Sequence, residues 1–358
     1  MEKLLLEATL ELIDTGIVVG MQDMGAAGLT SSTVETAERG EGGIVIDIAR
    51  VPRREEGMHP YEVMLSESQE RMLVIVRKGE EDRAREIFQK WDLHAVNIGQ
   101  VIADNMFVVQ DNGTTVARIP VDALTSDAPV YHREMREPRY LKQAQELDLT
   151  LVPVQQDYSQ VTVELLSSVN LNRKSWVYEQ YDHMVGTNTV LLPGADGAVI
   201  RLKHTDKALA MSCDGNGRYC YLDPYEGGKS AVAESARNVV CVGAQPTAIT
   251  NCLNFGTPTD PEIFWQFTRC VEGITEACRV LGTPVTGGNV SFYNENPDGA
   301  IDPTPVIGML GIIENINMLC TPEFKQEGDI VAIIGNGTET LGGSEYPVSY
   351  THLRAHET

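Results

Sequence analysis

The sequence predicts a mixed fold, α/β with α+β character, carried by more than one domain. Three observations support this. Strand-like apolar runs alternate with segments of helical periodicity along most of the chain. The length, 358 residues, is enough for two or three domains with cores of their own. A polar, weakly periodic stretch over 128–175 separates two structured blocks.

The elements follow in order. Residues 2–15 predict an amphipathic helix with Leu6, Leu10 and Ile13 on its apolar stripe. A strand, GIVVGMQ (16–22), leads into a glycine turn and a helix to about Arg39. Strands are expected near 43–49 and 71–77. The helix near 80–91 repeats Ala84, Ile87, Phe88 and Trp91 at i, i+3, i+4 and i+7. Two short strands near 95–101 and 105–110 bring this block to its end near Asp127. Residues 128–175 read as a linker with some helix. In the second block GAVIRLKH (197–204) and KALAMSCDG (207–215) read as strands of a hairpin-rich sheet. A helix from about Lys229 to Val242 stops at Gly243, the usual C′ residue. Asp260-Pro261 supplies an N-cap and an N1 proline for a longer helix that stops before Gly282. TPVIGMLGIIENI (304–316) is a strand, and a segment opening with EGDIVAIIGNG (327–337) breaks off. No internal repeat is visible, and both ends read as cut.

Composition narrows the function. Hydrophobic residues make up 42% and charged residues 22%, ordinary for a globular protein. The net charge of −23 repels nucleic acid and anionic membranes, so neither is expected as a partner. A phosphorylated small molecule remains compatible, because a local metal ion reverses the field. Seven scattered cysteines without a CxxC pair argue against zinc. Their odd number and the absence of an export signal favour reduced thiols in the cytoplasm. No apolar run is long enough to span a bilayer.

Four stretches carry candidate chemistry. Asp23 stands before Gly25–Gly28 at a strand-to-helix turn. It reads either as a capping acid or as part of a metal–phosphate site at a helix N-terminus. LSESQERM (65–72) sets Ser66–Gln69 at the end of an apolar strand, a solvated loop or a ligand-binding strand end. EGGKS (226–230) is not a P-loop, because Asp223 stands where the first glycine is required; Gly227 and Gly228 are expected to start the following helix. TGGNVSFYNE (286–295) and ITNCLNFGTP (249–258) join apolar strands to glycines and amides, a turn or a close approach of ligand to backbone. Cys252 is expected to pack in the core rather than act as a nucleophile. No histidine pair forms an HxxxH or HExxH motif with catalytic spacing in the body of the chain.

Taken in order, MEKLLLEA (1–8), QDMGAAGLTSS (22–32), YEVMLSESQERML (61–73), YDHMVGTNTV (181–190), GNGRYCYLDPYEGGKSAVAESARNVVCVGAQP (215–246) and EACRVLGTPVTGGNVSFYNE (276–295) form one series. It resembles the phosphoribosylformylglycinamidine synthase family, synthetase subunit of the small type, over roughly residues 1–346. The resemblance implies a fold of the PurM-like ATP-binding superfamily, in a duplicated A1-B1-A2-B2 arrangement. Residues 1–140 then correspond to the later part of B1, 141–175 to a linker, 176–318 to A2 and 319–346 to the start of B2. Residues 347–358 depart from the family and read as a tail foreign to it. The implied reaction is ATP-dependent amidine formation in purine biosynthesis. Formylglycinamide ribonucleotide and glutamine-derived ammonia are the reactants, and Mg²⁺ bridges the nucleotide phosphates. A glutaminase subunit and a small third subunit are the implied partners. Residue by residue, the resemblance makes Asp23 and Asn289 ligands of the same magnesium ion. Glu67, Ser68, Gln69 and Ser291 become substrate contacts, and Asn251 and Gly288 ATP contacts. Asn251 replaces a family aspartate, keeping hydrogen-bonding capacity without the charge. The family's catalytic histidines belong to A1, which has no counterpart here, so this stretch alone is expected to be inactive.

Overall fold

In the computed structural model, residues 1–67, 70–145, 154–335 and 341–346 are described, and the chain divides into two units, Met1–Tyr131 and His132–Thr358. The tail at 347–358 lies outside the described residues.

The first unit runs α1 (Glu2–Asp14), β1 (Val18–Asp23), α2 (Gly28–Arg39), β2 (Gly43–Asp47), α3 (Pro60–Leu65), β3 (Met72–Val76), α4 (Glu81–Lys90), β4 (Gly99–Ile102), β5 (Met106–Asp111) and β6 (Thr114–Pro120). β1 and β3 pair antiparallel, with Asp23 opposite Met72. The other four strands form a sheet in the order β4-β2-β5-β6, in which β2 and β5 are parallel. Leu29, Val34 and Ala37 of α2, with Val63 and Met64 of α3, cover Ile44, Ile46, Phe107 and Val109 of that sheet. Helix α4 buries the expected Ala84, Ile87 and Phe88.

Helix α1 corrects the expected stripe. It buries Ala8 and Leu12 against α4, whereas Leu6, Leu10 and Ile13 are 56%, 51% and 47% exposed. The sequence carries two apolar stripes on this helix, and periodicity cannot choose between them. Trp91 Nε1 and Lys90 Nζ both donate to the Glu11 carboxylate, which ties the end of α4 to α1 at a partly exposed edge. α3 and β6 were not expected, and β4 begins later than the sequence suggests.

The second unit contains α5 (Arg139–Gln145), α6 (Tyr158–Ser167), α7 (Ser175–Tyr178), β7 (Thr189–Leu191), β8 (Ala198–Arg201), β9 (Ala208–Asp214), α8 (Gly217–Leu222), α9 (Pro224–Cys241), β10 (Gln245–Asn254), α10 (Pro261–Leu281), β11 (Val285–Ser291), β12 (Glu295–Asn296), β13 (Gly299–Ala300) and β14 (Thr304–Ile313). Its main sheet has the order β11-β10-β14-β9-β8-β7. β14 alternates buried and half-buried residues along its whole length, the pattern of a strand with one face against helices. Ile307, Met309 and Ile313 on that face meet Val232, Val239, Cys270 and Ile274 of α9 and α10. Asp260 caps α10 by accepting from Glu262 N at 2.7 Å, and Gly282 ends it with φ +69°, as expected. Tyr140 stacks on Tyr221 with ring centroids 4.0 Å apart, and its hydroxyl donates to the Tyr221 carbonyl.

Three further expectations change here. Gly227 and Gly228 do not start α9, which begins at Pro224 under an Asp223 cap; they lie in its second turn. A Cβ at Gly227 would come 2.6 Å from Cys220 Cα, and one at Gly228 would come 2.5 Å from the Cys270 carbonyl oxygen. These glycines serve close helix packing. Of the two readings of TGGNVS, the turn falls, since Val285–Ser291 is strand. Cys252 is half-buried, outside the core cluster. In the last segment Ile330, Ile333 and Ile334 are at least 93% exposed and no strand forms over 329–334.

Candidate functional site

In the first unit the turn after β1 meets the stretch after α3. Ala27 and Gly28 both take left-handed backbone angles, φ +59° and +52°. The Ala27 N–H at the start of α2 donates to Glu67 Oε1 at 3.1 Å. Gly28 is required by the same approach, since a Cβ there would lie 2.2 Å from the Ser66 carbonyl oxygen. Thr30 Oγ1 adds a bond to the Met64 carbonyl at 3.1 Å. The anion at this helix N-terminus is therefore the Glu67 carboxylate of the chain itself. Asp23, at the exposed end of β1, accepts from Gln22 Nε2 at Oδ1, 3.0 Å away. Ser68 and Gln69 lie outside the described residues.

In the second unit the parallel pairing of β10 and β11 sets Asn251 beside Gly288, Cys252 beside Asn289 and Asn254 beside Ser291. Side chains alternate along a strand, so Asn251 and Gly288 share one face, and Asn289 and Ser291 share the other. Gly288 has φ +155°, and a Cβ there would lie 2.1 Å from Asn251 Oδ1. The Asn251 amide thus occupies the space above Gly288. Asn289 is exposed on β11, an edge strand among the described residues. Ser291 is held by Asn294, whose Nδ2 donates to the Ser291 carbonyl at 2.8 Å and to its Oγ at 3.1 Å.

Several residues in these networks escaped the sequence reading. Asn294 sits inside the quoted YNE and is polar in a strand-end run, which is its only signal. Asp214 at the end of β9 accepts from Ser235 Oγ at 2.8 Å and Asn238 Nδ2 at 2.7 Å, tying α9 to the sheet. The i, i+3 spacing of Ser235 and Asn238 on a helix facing a strand-end acid was the available clue. Among the described residues no three His, Cys, Asp or Glu side chains gather to hold a metal, and no helix is long and apolar enough to cross a membrane.

Comparison with known proteins adds the following. Residues 1–112 match the family "AIR synthase related protein, C-terminal domain", and residues 194–313 match the corresponding N-terminal domain family. The chain is 55% identical over 356 residues to phosphoribosylformylglycinamidine synthase subunit PurL of Moorella thermoacetica, covering 99% of this chain and 49% of that protein. The PurLQS structure from Thermotoga maritima matches with a TM-score of 0.71 and 35% identity, over 90% of this chain and 51% of the other. Structures of T. maritima PurL complexed with ATP and with FGAR each match with a TM-score of 0.70, 34% identity and 90% of this chain, covering 50% and 49% of theirs. The chain spans about half the length of the curated relatives it matches. With two AIR synthase-related domains in the order C-terminal type then N-terminal type, together covering more than half of its residues, the chain belongs to the AIR synthase-related family, and along nearly all of its length it is similar to PurL subunits.

Proposed function

We propose that this chain is part of a synthetase subunit that converts formylglycinamide ribonucleotide, ATP and glutamine-derived ammonia to formylglycinamidine ribonucleotide, ADP and phosphate. One observation in the structure supports it most: the Asp23 turn and the Glu67 stretch, distant in sequence, meet through the Ala27–Glu67 hydrogen bond. A site for a metal-bound nucleotide and a substrate needs those two stretches side by side. The reading is also supported by T. maritima PurL, which has been solved with ATP and with FGAR.

In this reading Asp23 in the first unit and Asn289 in the second are each magnesium ligands, Asn251 and Gly288 meet ATP, and Glu67, Ser68, Gln69 and Ser291 are substrate contacts. The donor set fits the ion. Asp23 and Asn289 offer hard oxygen ligands, both are exposed, and a magnesium ion that keeps waters and phosphates needs only one or two protein oxygens. A magnesium ion held by these oxygens would supply charge neutralisation at the nucleotide phosphates. The chain's own task is positioning. Ala27 N–H engages one oxygen of Glu67 and leaves the other for a substrate donor. Asn294 holds Ser291 so that its hydroxyl faces a fixed direction. The absence of a side chain at Gly288 makes room for the Asn251 amide, which is the group offered to the nucleotide.

Ammonia is supplied by a glutaminase subunit, and a small third subunit completes the assembly, a reading supported by the PurLQS structure of T. maritima. The enzyme works in the cytoplasm. In the intact subunit bearing this chain, ADP release is expected to require both formylglycinamide ribonucleotide and ammonia, while the 358-residue polypeptide alone is expected to yield no amidine. ATP turnover by the intact subunit that ignores formylglycinamide ribonucleotide overturns the proposal.

A further inference from the structure

The Asp23 carboxylate is oriented through its neighbour in β1. Gln22 Nε2 donates to Asp23 Oδ1 at 3.0 Å, and Gln22 Oε1 accepts from Arg39 Nη1 at 2.8 Å. Arg39 Nη2 in turn meets Glu35 Oε2 at 3.4 Å, one helical turn back on α2. The chain Glu35–Arg39–Gln22–Asp23 thus joins the last turns of α2 to the end of β1. Gln22 and Glu35 are half-buried, while Arg39 is exposed.

Chemistry dictates the direction of this chain. A guanidinium can only donate, so Arg39 fixes the oxygen end of the Gln22 amide toward itself. The NH₂ end is then forced toward Asp23, where a carboxylate can only accept. The opposite amide orientation would place oxygen against carboxylate and NH₂ against guanidinium. One oxygen of Asp23 is therefore engaged, and the other lies toward Gly25, where a Cβ would be 3.9 Å from Oδ2. The interposed amide matters electrostatically. A guanidinium paired directly with Asp23 would neutralise the charge that a cation needs. A neutral amide fixes the geometry and leaves the charge in place.

We infer that Gln22 and Arg39 are positioning residues that present Asp23 Oδ2 to the metal, an inference that rests on the reading of Asp23 as a magnesium ligand. Outer partners of this kind are worth about 10–100-fold in metal affinity. The test uses Mn²⁺ as the probe. The ion is titrated into the intact subunit bearing this chain with a non-hydrolysable ATP analogue, and free Mn²⁺ is read by electron paramagnetic resonance. Gln22→Leu is expected to weaken Mn²⁺ binding about 10-fold or more, within that range. Arg39→Met weakens it in the same direction, and Arg39→Lys, which still donates, recovers part of the loss. The double variant Q22L/R39M is no weaker than Q22L, because both act through one hydrogen-bonded chain. Should Q22L fail to fold, the exposed Arg39 pair of variants carries the test alone. Wild-type Mn²⁺ affinity in Q22L and R39M beside a weakened Asp23→Asn overturns the positioning role and leaves the metal reading standing. Additive losses overturn the shared chain. Wild-type affinity in Asp23→Asn overturns the metal reading and this inference together.

Discussion

Replacing Asp23 by asparagine is expected to lower amidine synthesis in the intact subunit by more than the roughly 100-fold that marks the upper end of outer-partner effects on metals. Added Mg²⁺ should restore part of it. The side chain keeps its size and its bond to Gln22, so the fold of the β1–α2 turn is preserved. What is lost is the negative charge and one strong oxygen ligand. An ion that takes only one or two protein ligands has little in reserve when one weakens. Because the loss is in affinity, a higher metal concentration compensates by mass action. Steady-state rates at several Mg²⁺ concentrations check this, and a rate equal to wild type at low Mg²⁺ would remove Asp23 from the metal site.

Gly288→Ala is expected to remove ATP binding and to destabilise the second unit. The added methyl would sit 2.1 Å from Asn251 Oδ1 and 2.6 Å from the Asn251 carbonyl oxygen. The second of these is backbone in a paired strand and cannot swing away. The φ of +155° adds strain for any residue with a Cβ. Strain of this kind costs about 1–3 kcal/mol and overpacking a further 1–3 kcal/mol, so a loss of at least about 2 kcal/mol is expected. Asn251→Gly in the same background should recover part of the stability, because it removes the movable half of the clash. Denaturant midpoints and calorimetric ATP titration measure both effects. An alanine variant as stable as wild type with unchanged ATP affinity would show that the β10–β11 pairing is looser than described.

Much of the scaffold was legible because it depends on local chemistry. Asp260-Pro261 and Gly282 mark the ends of α10, and the Ala84, Ile87 and Phe88 stripe marks the buried side of α4. Where two local readings were equal, tertiary packing decided. α1 carries apolar residues on two sides, and only contact with α4 selects Ala8 and Leu12 over Leu6 and Leu10. Gly227 and Gly228 look like a helix start in sequence, yet the neighbours that require them are Cys220 and Cys270. The TGGNVS glycines left a turn and a close backbone approach within a strand both open, and ladder bonds to β10 hold them in a strand. The site divides in the same way. Asp23 stands out in sequence as a candidate from its place before a glycine turn, and the glycines beside Asn289 as candidates for backbone approach to a ligand. The Ala27–Glu67 bond joins residues 40 positions apart, and no periodicity reports such a contact. The Gln22–Arg39 link has the same origin, a strand end lying beside the last turn of the helix that follows it.

Anomalous scattering from Mn²⁺ in crystals of the intact subunit with an ATP analogue tests the central claim most directly. The expected result is a manganese peak within roughly 2.5 Å of Asp23 Oδ2, the distance of direct oxygen ligation to a small divalent ion. Nucleotide-bound manganese with the Asp23 carboxylate more than about 4 Å away, well outside ligation distance, would contradict it.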